Sequence, residues 1–388
     1  MINKNLKVII LTHYLVYGAP QALREYLVNC KIEYLLFVGH PLQSDTSRSY
    51  FETFKNGKLS KRTELKLRSK ITFINYITEI LLNLFILLKN RKQVDIIFGV
   101  DPLNCTVGIL MKKLGFAKNL VYYTIDFTPK RFQNRFLNQI YYSLDKICAK
   151  FSDETWNVSG RIAKGRERFY GMKESEYNRQ RVVPIGVWLK KVKRLPFSKI
   201  EKHQLLFLGN LLEKQGVQLV LQAIPKIITK LPDFHFLIIG GGEYEEPLKE
   251  LASKLGIGSH VTFTGWIKDR NEIDQIMSTS AAAIAMYDKN KDTFTYYADP
   301  TKLKDYLSAG LPILLTSLPH NALDIEKERC GIIVSYDADV LAKKIIELLN
   351  NENKLIEFRK NAERYIEKYR WEIIFENNIN RLLKDKSN

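Results

Sequence analysis

Acidic residues are in short supply: 42 Asp and Glu stand against 60 Lys and Arg, giving a formal net charge of +18 over 388 residues. Such an excess calls for an anionic partner or a solvated basic surface, and anionic lipid, nucleic acid and acidic substrate are the partner classes it admits. Cysteine is scarce as well. Cys30, Cys105, Cys148 and Cys330 are scattered with no CxxC pair, which argues against a zinc site and a disulfide framework and fits a reducing cytosol. The start, Met1 to Ile10, runs straight into a strand pattern and shows no cleavable signal peptide. Repeats at solenoid periods are missing. Long apolar runs are missing too, except at Ile71–Lys89, where Asn75, Glu79 and Asn83 recur at four-residue spacing. A membrane span needs about twenty predominantly apolar residues. The segment therefore reads as a buried amphipathic helix, with an interfacial helix as the alternative.

What is present is an ordinary globular composition, 45% hydrophobic and 26% charged, in a chain long enough for two domains. Short apolar runs at Lys7–Thr12, Glu33–Gly39, Asp95–Gly99 and Leu120–Ile125 alternate with helical patterns, the rhythm of parallel βα units. Between the second and third runs lies Lys55–Lys70, with seven basic residues against Glu64, read as a flexible solvated loop or a docking patch. The rhythm pauses over residues 191–202, which are basic, contain Pro196 and lack periodicity. It restarts at Leu205–Gly209, Phe234–Gly240, Val261–Gly265 and Ala281–Met286. The expectation is an α/β protein of two Rossmann-like doubly wound domains facing across a cleft. Their bounds are 1–190, a linker 191–202, 203–365, and a terminal helix 366–388 crossing back to the first domain.

In parallel α/β sheets ligands bind beyond the carboxyl ends of the strands, where helix N-termini favour negative charge. Four loops of the second half satisfy this. Gly209-Asn210 to Gln215-Gly216 joins a strand to a helix with glycines at both ends, and Gly240-Gly241-Gly242 is richer in glycine than a turn needs. Gly265-Trp266-Ile267 offers backbone groups to a base, or packing. The strongest is Asp299-Pro300-Thr301-Lys302, leading to Asp305 and then Ala309-Gly310-Leu311-Pro312. Asp299 suits an N-cap and Pro300 a first helical turn. Capping leaves Asp305 unexplained: a carboxylate there accepts both hydroxyls of a ribose, while Lys302 meets a diphosphate.

These landmarks, in this order, resemble the nucleotide-binding domain of GT-B glycosyltransferases, specifically the retaining family four of bacterial envelope polysaccharide synthesis. The resemblance spans nearly the whole second domain. It implies donor-binding roles for Gly209, Asn210, Gln215, Gly241, Gly242, Trp266, Ile267, Asp299, Thr301, Lys302 and Asp305. The chain departs from the family in three places. Tyr297 stands where the first of two acidic residues is usual, and Asn210 and Gln215 stand where an Arg and a Lys grip the donor diphosphate. A branch with Gly-Asn and Gln-Gly in this loop and Pro-Ser/Thr-Lys downstream has the same look. In the first half the resemblance is looser: Gly18 faces the donor phosphates, Asp126 is the base if transfer inverts, and Arg131 lies on the acceptor side. Capping of a nearby helix is the other reading of Asp126.

The resemblance thus implies transfer of a sugar from a UDP- or GDP-sugar to a glycan or lipid-diphosphate-linked acceptor, with retention and without cofactor or metal. Lys302 would carry leaving-group charge. The setting it implies is cytoplasmic, peripheral at the inner membrane face, with Lys55–Lys70 and the Ile71 helix on anionic lipid. The other readings are an inactive or regulatory GT-B relative, a nucleic-acid-binding protein and a sugar-nucleotide epimerase. The aromatics lie in core-like positions and the six histidines do not cluster, so no nucleic-acid partner is expected.

Overall fold

The computed structural model describes residues 2–14, 17–42, 48–65, 72–90, 92–291 and 294–384, and the chain divides into two units, Met1–Pro184 with Trp371–Asn388, and Ile185–Arg370. The division falls ahead of the stretch read as a linker. Residues 191–202 lie inside the second unit: Leu195 and Phe197 pack on its core, and Arg194 Nε donates to the Ser308 carbonyl at 2.8 Å. Lack of periodicity marks irregular backbone, and irregular backbone can still be pinned by side chains. The chain re-enters the first unit at Trp371, where the helix Trp371–Lys384 packs on the helix Ala19–Asn29, Phe375 against Tyr26.

The first unit contains β1 (Lys7–Tyr14), β2 (Tyr34–Pro41), β3 (Ser49–Lys55), β4 (Lys58–Leu65), β5 (Val94–Val100), β6 (Ala117–Thr124), β7 (Glu154–Asn157) and β8 (Gln180–Val182). Its described residues form one sheet in the order β4-β3-β2-β1-β5-β6-β7-β8. The strands from β2 to β8 pair in parallel, and β3 and β4 add an antiparallel hairpin at one edge. β1, β2 and β5 are near-continuous apolar runs, as strands covered on both faces must be.

That hairpin corrects the reading of Lys55–Lys70 as a loop. Asn56 and Gly57 both take positive φ, 48° and 76°, and so turn the chain tightly between β3 and β4. Lys58, Lys61 and Arg62 are exposed along an edge strand, where charge discourages further strand pairing. Arg62 reaches Glu52 at 2.7 Å and Glu64 at 2.8 Å. The remaining basic residues of the run, Lys66, Arg68 and Lys70, and Ile71, lie outside the described residues.

The helix Thr72–Asn90 is amphipathic with its faces reversed. Asn75, Glu79 and Asn83 point into the protein and are nearly inaccessible, whereas Ile74, Ile77, Leu81, Phe85 and Leu88 are exposed. Among the described residues no helix is long and apolar enough to cross a membrane.

The second unit contains β9 (Glu201–Leu208), β10 (His235–Ile239), β11 (Val261–Phe263), β12 (Ser280–Ala285), β13 (Ile313–Leu315) and β14 (Gly331–Ile333), all parallel, in the order β11-β10-β9-β12-β13-β14. Alternation along β9 feeds two cores. Leu205 and Phe207 join Val220, Ile224 and Ile345 on one face, and Leu206 joins Leu303, Tyr306 and Leu307 on the other. The strand order reverses at the β9/β12 boundary, the place where an open α/β sheet leaves a crevice at its carboxyl edge.

Candidate functional site

At the switch point of the second unit three loops interlock so closely that only glycine fits. A Cβ on Gly240, whose φ is +129°, would stand 1.9 Å from the Gly209 carbonyl oxygen, and one on Gly242 would stand 2.4 Å from Asn210 Oδ1. The Leu211 N–H donates to the Gly241 carbonyl at 2.9 Å, the Tyr244 N–H to the Leu211 carbonyl at 3.1 Å, and the Gly240 N–H to the Gly265 carbonyl at 2.9 Å. A Cβ on Gly241 would press on the Trp266 ring, which is 66% exposed. Ile267, by contrast, packs on the core. The sequence-expected residues Gly209, Asn210, Gly241, Gly242 and Trp266 therefore share one rim.

Lys302 reaches the same rim from the opposite side of the switch point. It sits in the first turn of the helix Thr301–Ser308, which follows β12, and Thr301 beside it is exposed. Its Nζ donates to Gln215 Oε1 at 2.6 Å and lies 4.3 Å above the Phe207 ring centre and 5.3 Å from that of Tyr287. A Cβ on Gly209 would be 3.2 Å from that nitrogen. The helix is held in place by Tyr306, whose hydroxyl accepts the Leu208 N–H at 2.7 Å. An ammonium, first-turn N–H groups and a glycine backbone thus converge where an anion gains from all three.

The two carboxylates of this block have opposite surroundings. Asp299 is not an N-cap and is not presented to a ligand: Pro300 occupies the cap, and the Asp299 side chain has no exposed surface. It forms an ion pair with Lys304, accepts the Ile185 N–H at 2.8 Å and lies 3.0 Å from His320 Nε2. Burial would raise its carboxyl pKa, but the Lys304 ammonium and His320 outweigh that and hold it below the usual carboxylate value. Lys304 lies buried because it must compensate this charge. Asp305 is at the surface end and takes Arg270 Nη2 at 2.7 Å, while Arg270 Nε also holds Asp274 at 2.8 Å. Arg270 was missed in the sequence. Its i,i+4 spacing to Asp274 signals that pair, but nothing local signals Asp305, 35 residues away.

In the first unit Gly18 is the N-cap of the helix Ala19–Asn29, its N–H donating to Gln21 Oε1 at 3.0 Å. Asp126 does not cap a helix. Asn134 does so for Arg135–Phe151, accepting from Phe136 and Leu137 N–H, while Asp126 follows β6 and pairs with Arg131 Nη1 at 3.2 Å. Arg131 lies 5.2 Å from the Tyr141 ring centre. Burial would lower the guanidinium pKa, and Asp126 more than reverses that.

Sequence reasoning also missed a buried polar cluster at the carboxyl ends of β1, β2 and β5. His13 Nδ1 is 2.7 Å from Asp101 Oδ2 and its Nε2 is 3.0 Å from Glu79 Oε2. His40 meets Ser49 at 2.9 Å and Asn83 at 3.1 Å, and Asn83 donates to Asn104 at 2.9 Å. Asp101 holds φ at +120°, a strained value for a non-glycine residue. It also accepts the Asn104 N–H at the start of the helix Pro102–Lys113. Burial depresses the His13 pKa, but Asp101 and then Glu79 raise it to about 10. The signal was available in Asn75, Glu79 and Asn83: a polar stripe in so apolar a helix needs partners. Among the described residues no group of three or more His, Cys, Asp or Glu side chains is disposed to hold a metal.

Two Rossmann-like units, the second with a glycine-built anion cradle at its switch point, define the GT-B fold. The crystal structure of Anabaena Alr3699/HepE in complex with UDP aligns over 98% of this chain and 100% of its own, at a TM-score of 0.72 and 13% identity. Residues 192–365, all within the second unit, match the family model described as glycosyl transferases group 1. The chain is 25% identical over 176 residues to phosphatidyl-myo-inositol mannosyltransferase of Mycolicibacterium smegmatis, 45% of this chain and 43% of that protein. It is 23% identical over 206 residues to lipopolysaccharide glucosyltransferase WaaG of Escherichia coli, 50% of this chain and 52% of that protein. The likeness spans about half the length of these relatives.

Proposed function

We propose that the protein transfers a hexose or N-acetylhexosamine from a UDP- or GDP-sugar to a glycan or lipid-linked acceptor in cell-surface polysaccharide synthesis. The observation that carries this reading is the position of Lys302: its ammonium lies against the Gly209 backbone and the Gln215 amide, at the start of a helix. A diphosphate seated there meets one full cation, helix N–H groups and a backbone bared by glycine, enough to stabilise the leaving nucleoside diphosphate without a metal. The exposed Trp266 offers a face to the base, and Asp305, steadied by Arg270, offers a carboxylate to the ribose. The names of the relatives are consistent with this class: one acts on phosphatidyl-myo-inositol, one on lipopolysaccharide. In a retaining transfer the bond from the anomeric carbon to the diphosphate breaks as the glycosidic bond forms on the same face, and the departing diphosphate oxygen takes the acceptor hydroxyl's proton, so no enzymic base is required. For an inverting transfer Asp126, half-exposed beside Arg131, is the base.

The test is a panel of nucleotide sugars read by thermal shift and by donor hydrolysis. Stabilisation by one UDP or GDP species with slow release of its sugar is the expected result. A flat response to all of them sinks the reading, and stabilisation with no turnover in any acceptor mixture assigns the cradle to binding alone.

A further inference from the structure

At the carboxyl edge of the second unit Asp305 and Arg270 stand as a pair, and we propose that they share the reading of a ribose: the carboxylate accepts from one of its two vicinal hydroxyls and the guanidinium donates to the other. Arg270 is then a specificity-determining residue of the donor site, an inference that rests on the donor-site reading above. The sequence suggests a carboxylate that accepts both hydroxyls unaided. In the fold that carboxylate is largely covered: its side chain is 13% exposed, against 50% for the arginine paired with it. Its Oδ1 already takes Arg270 Nη2 at 2.7 Å, and Oδ2 is the oxygen without a donor among the described residues. A ligand that reaches Asp305 therefore meets Arg270 as well.

Hydrogen-bond accounting gives Arg270 its share. A guanidinium carries five N–H groups and no acceptor. Nε commits one to Asp274 at 2.8 Å and Nη2 commits one to Asp305, which leaves three with no partner among the described residues. A hydroxyl donates and accepts at once, so adjacent hydroxyls suit an acid beside a cation better than a lone acid with one oxygen engaged. The arginine is also fixed in place. It opens the helix Arg270–Thr279, which Asp269 caps, and Asp274 one turn further on is 5% exposed. If Arg270 swung away, that buried carboxylate would lose its cation. Through Asp305 the arginine links the loop that carries Trp266 to the helix that carries Lys302, and Lys302 lies on the same helical face as Asp305, three residues earlier. The groups assigned to base, ribose and diphosphate are thereby joined through one side chain. A lysine at 270 has no planar fork with which to serve two acids and a hydroxyl together.

The experiment is titration calorimetry of the full chain with UDP, GDP, the 2′-deoxy and 3′-deoxy forms of each, and inorganic pyrophosphate. Whichever of UDP and GDP binds the parent binds about ten-fold more weakly when either hydroxyl is removed, because a charged partner is then left unpaired. Arg270→Gln lowers affinity for the complete nucleotide about ten-fold and no longer distinguishes it from one of the two deoxy forms. Arg270→Lys, which keeps the charge and loses the fork, does the same. Asp305→Ala loses the distinction for the other deoxy form, and pyrophosphate binds every variant as it binds the parent. Unchanged or tighter nucleotide binding in Arg270→Gln overturns the proposal, since Asp305 then reads both hydroxyls alone. So does a parent indifferent to both deoxy forms. An equal fall in pyrophosphate affinity in Arg270→Gln marks the ion pair as a staple between helices and overturns it too. In each of these cases UDP or GDP still binds the parent and the donor-site reading stands, whereas binding of neither nucleotide overturns both.

Discussion

Replacing Lys304 with Met removes one half of an ion pair in which neither side chain has exposed surface. Asp299 would be left with the Ile185 N–H at 2.8 Å and His320 Nε2 at 3.0 Å, and with no lysine. Removing one partner of a buried pair costs about 3–5 kcal/mol, because the remaining charge is uncompensated. Met retains most of the lysine stem, so little of that loss comes from a cavity. For a unit of this size each kcal/mol shifts the melting temperature by roughly 2–4 °C, so the loss is roughly 6–20 °C. The control is Asp299→Asn/Lys304→Met. It removes both charges, while the new amide oxygen still accepts from Ile185, and its loss should be about 1.5 kcal/mol or less. Urea unfolding of the parent, Lys304→Met, Asp299→Asn and the double variant, followed on the transition of the second unit, completes the cycle. If Lys304→Met lies within about 1 kcal/mol of the parent, or the two changes simply add, the buried-charge reasoning is wrong.

Lys302→Met should weaken UDP or GDP binding about ten-fold or more by calorimetry, since a charge-assisted contact to phosphate is lost. Asp305→Asn should lower affinity for the nucleoside diphosphate about ten-fold and leave that for inorganic pyrophosphate unchanged; equal losses for both ligands would remove the ribose role. His13 yields a pH prediction. Its folded pKa, raised to about 10, exceeds the unfolded value of 6.5, so its stabilisation is complete below pH 6.5 and lost as pH rises through 10. The unfolding free energy of the first unit in urea should fall across that window, with a slope near 1.4 kcal/mol per pH unit at most, and His13→Gln should flatten it.

Much of the fold was legible because parallel strands advertise themselves. Val8 to Leu11, Ile96 to Phe98 and Leu205 to Phe207 are apolar runs that no surface element tolerates, and helical patterns between them leave few topologies. The hairpin Ser49–Leu65 was lost to its lysines, although Asn56-Gly57 states the turn in two residues. Glycine spacing announced the rim at the switch point, since Gly209, Gly240 and Gly242 are required by approach distances that only a bare backbone meets. Partnership was not legible. That Asp299 would face Lys304, and Asp305 would face Arg270, depends on helix phase and on elements distant in sequence. An acid read one residue before a helix looks the same whether it caps or is buried. The reversed face of Thr72–Asn90 hid for a related reason: periodicity reports that a helix has two faces, and only its neighbours decide which one turns inward.

The amides at 210 and 215 and the position of Lys302 have a common electrostatic rationale. Gln215 Oε1 stands 2.6 Å from the Lys302 nitrogen. A lysine at 215 would set two ammonium groups near each other, and like charges about 4 Å apart repel by roughly 1 kcal/mol in water and 4 kcal/mol in the less polar environment near a protein surface. One of the two would have to turn away. With amides at 210 and 215 the conflict disappears, and a single lysine, backed by the Phe207 and Tyr287 rings, can stay aimed across the Gly209 backbone. Gln215, to which it donates, is neutral. A diphosphate oxygen that replaced this amide would bring an anion to the ammonium and so a stronger, charge-assisted contact, a gain that a carboxylate at 215 would largely cancel. Asn210 and Gln215 are thus compatible with a working donor site, provided that Lys302 supplies the charge the loop has given up.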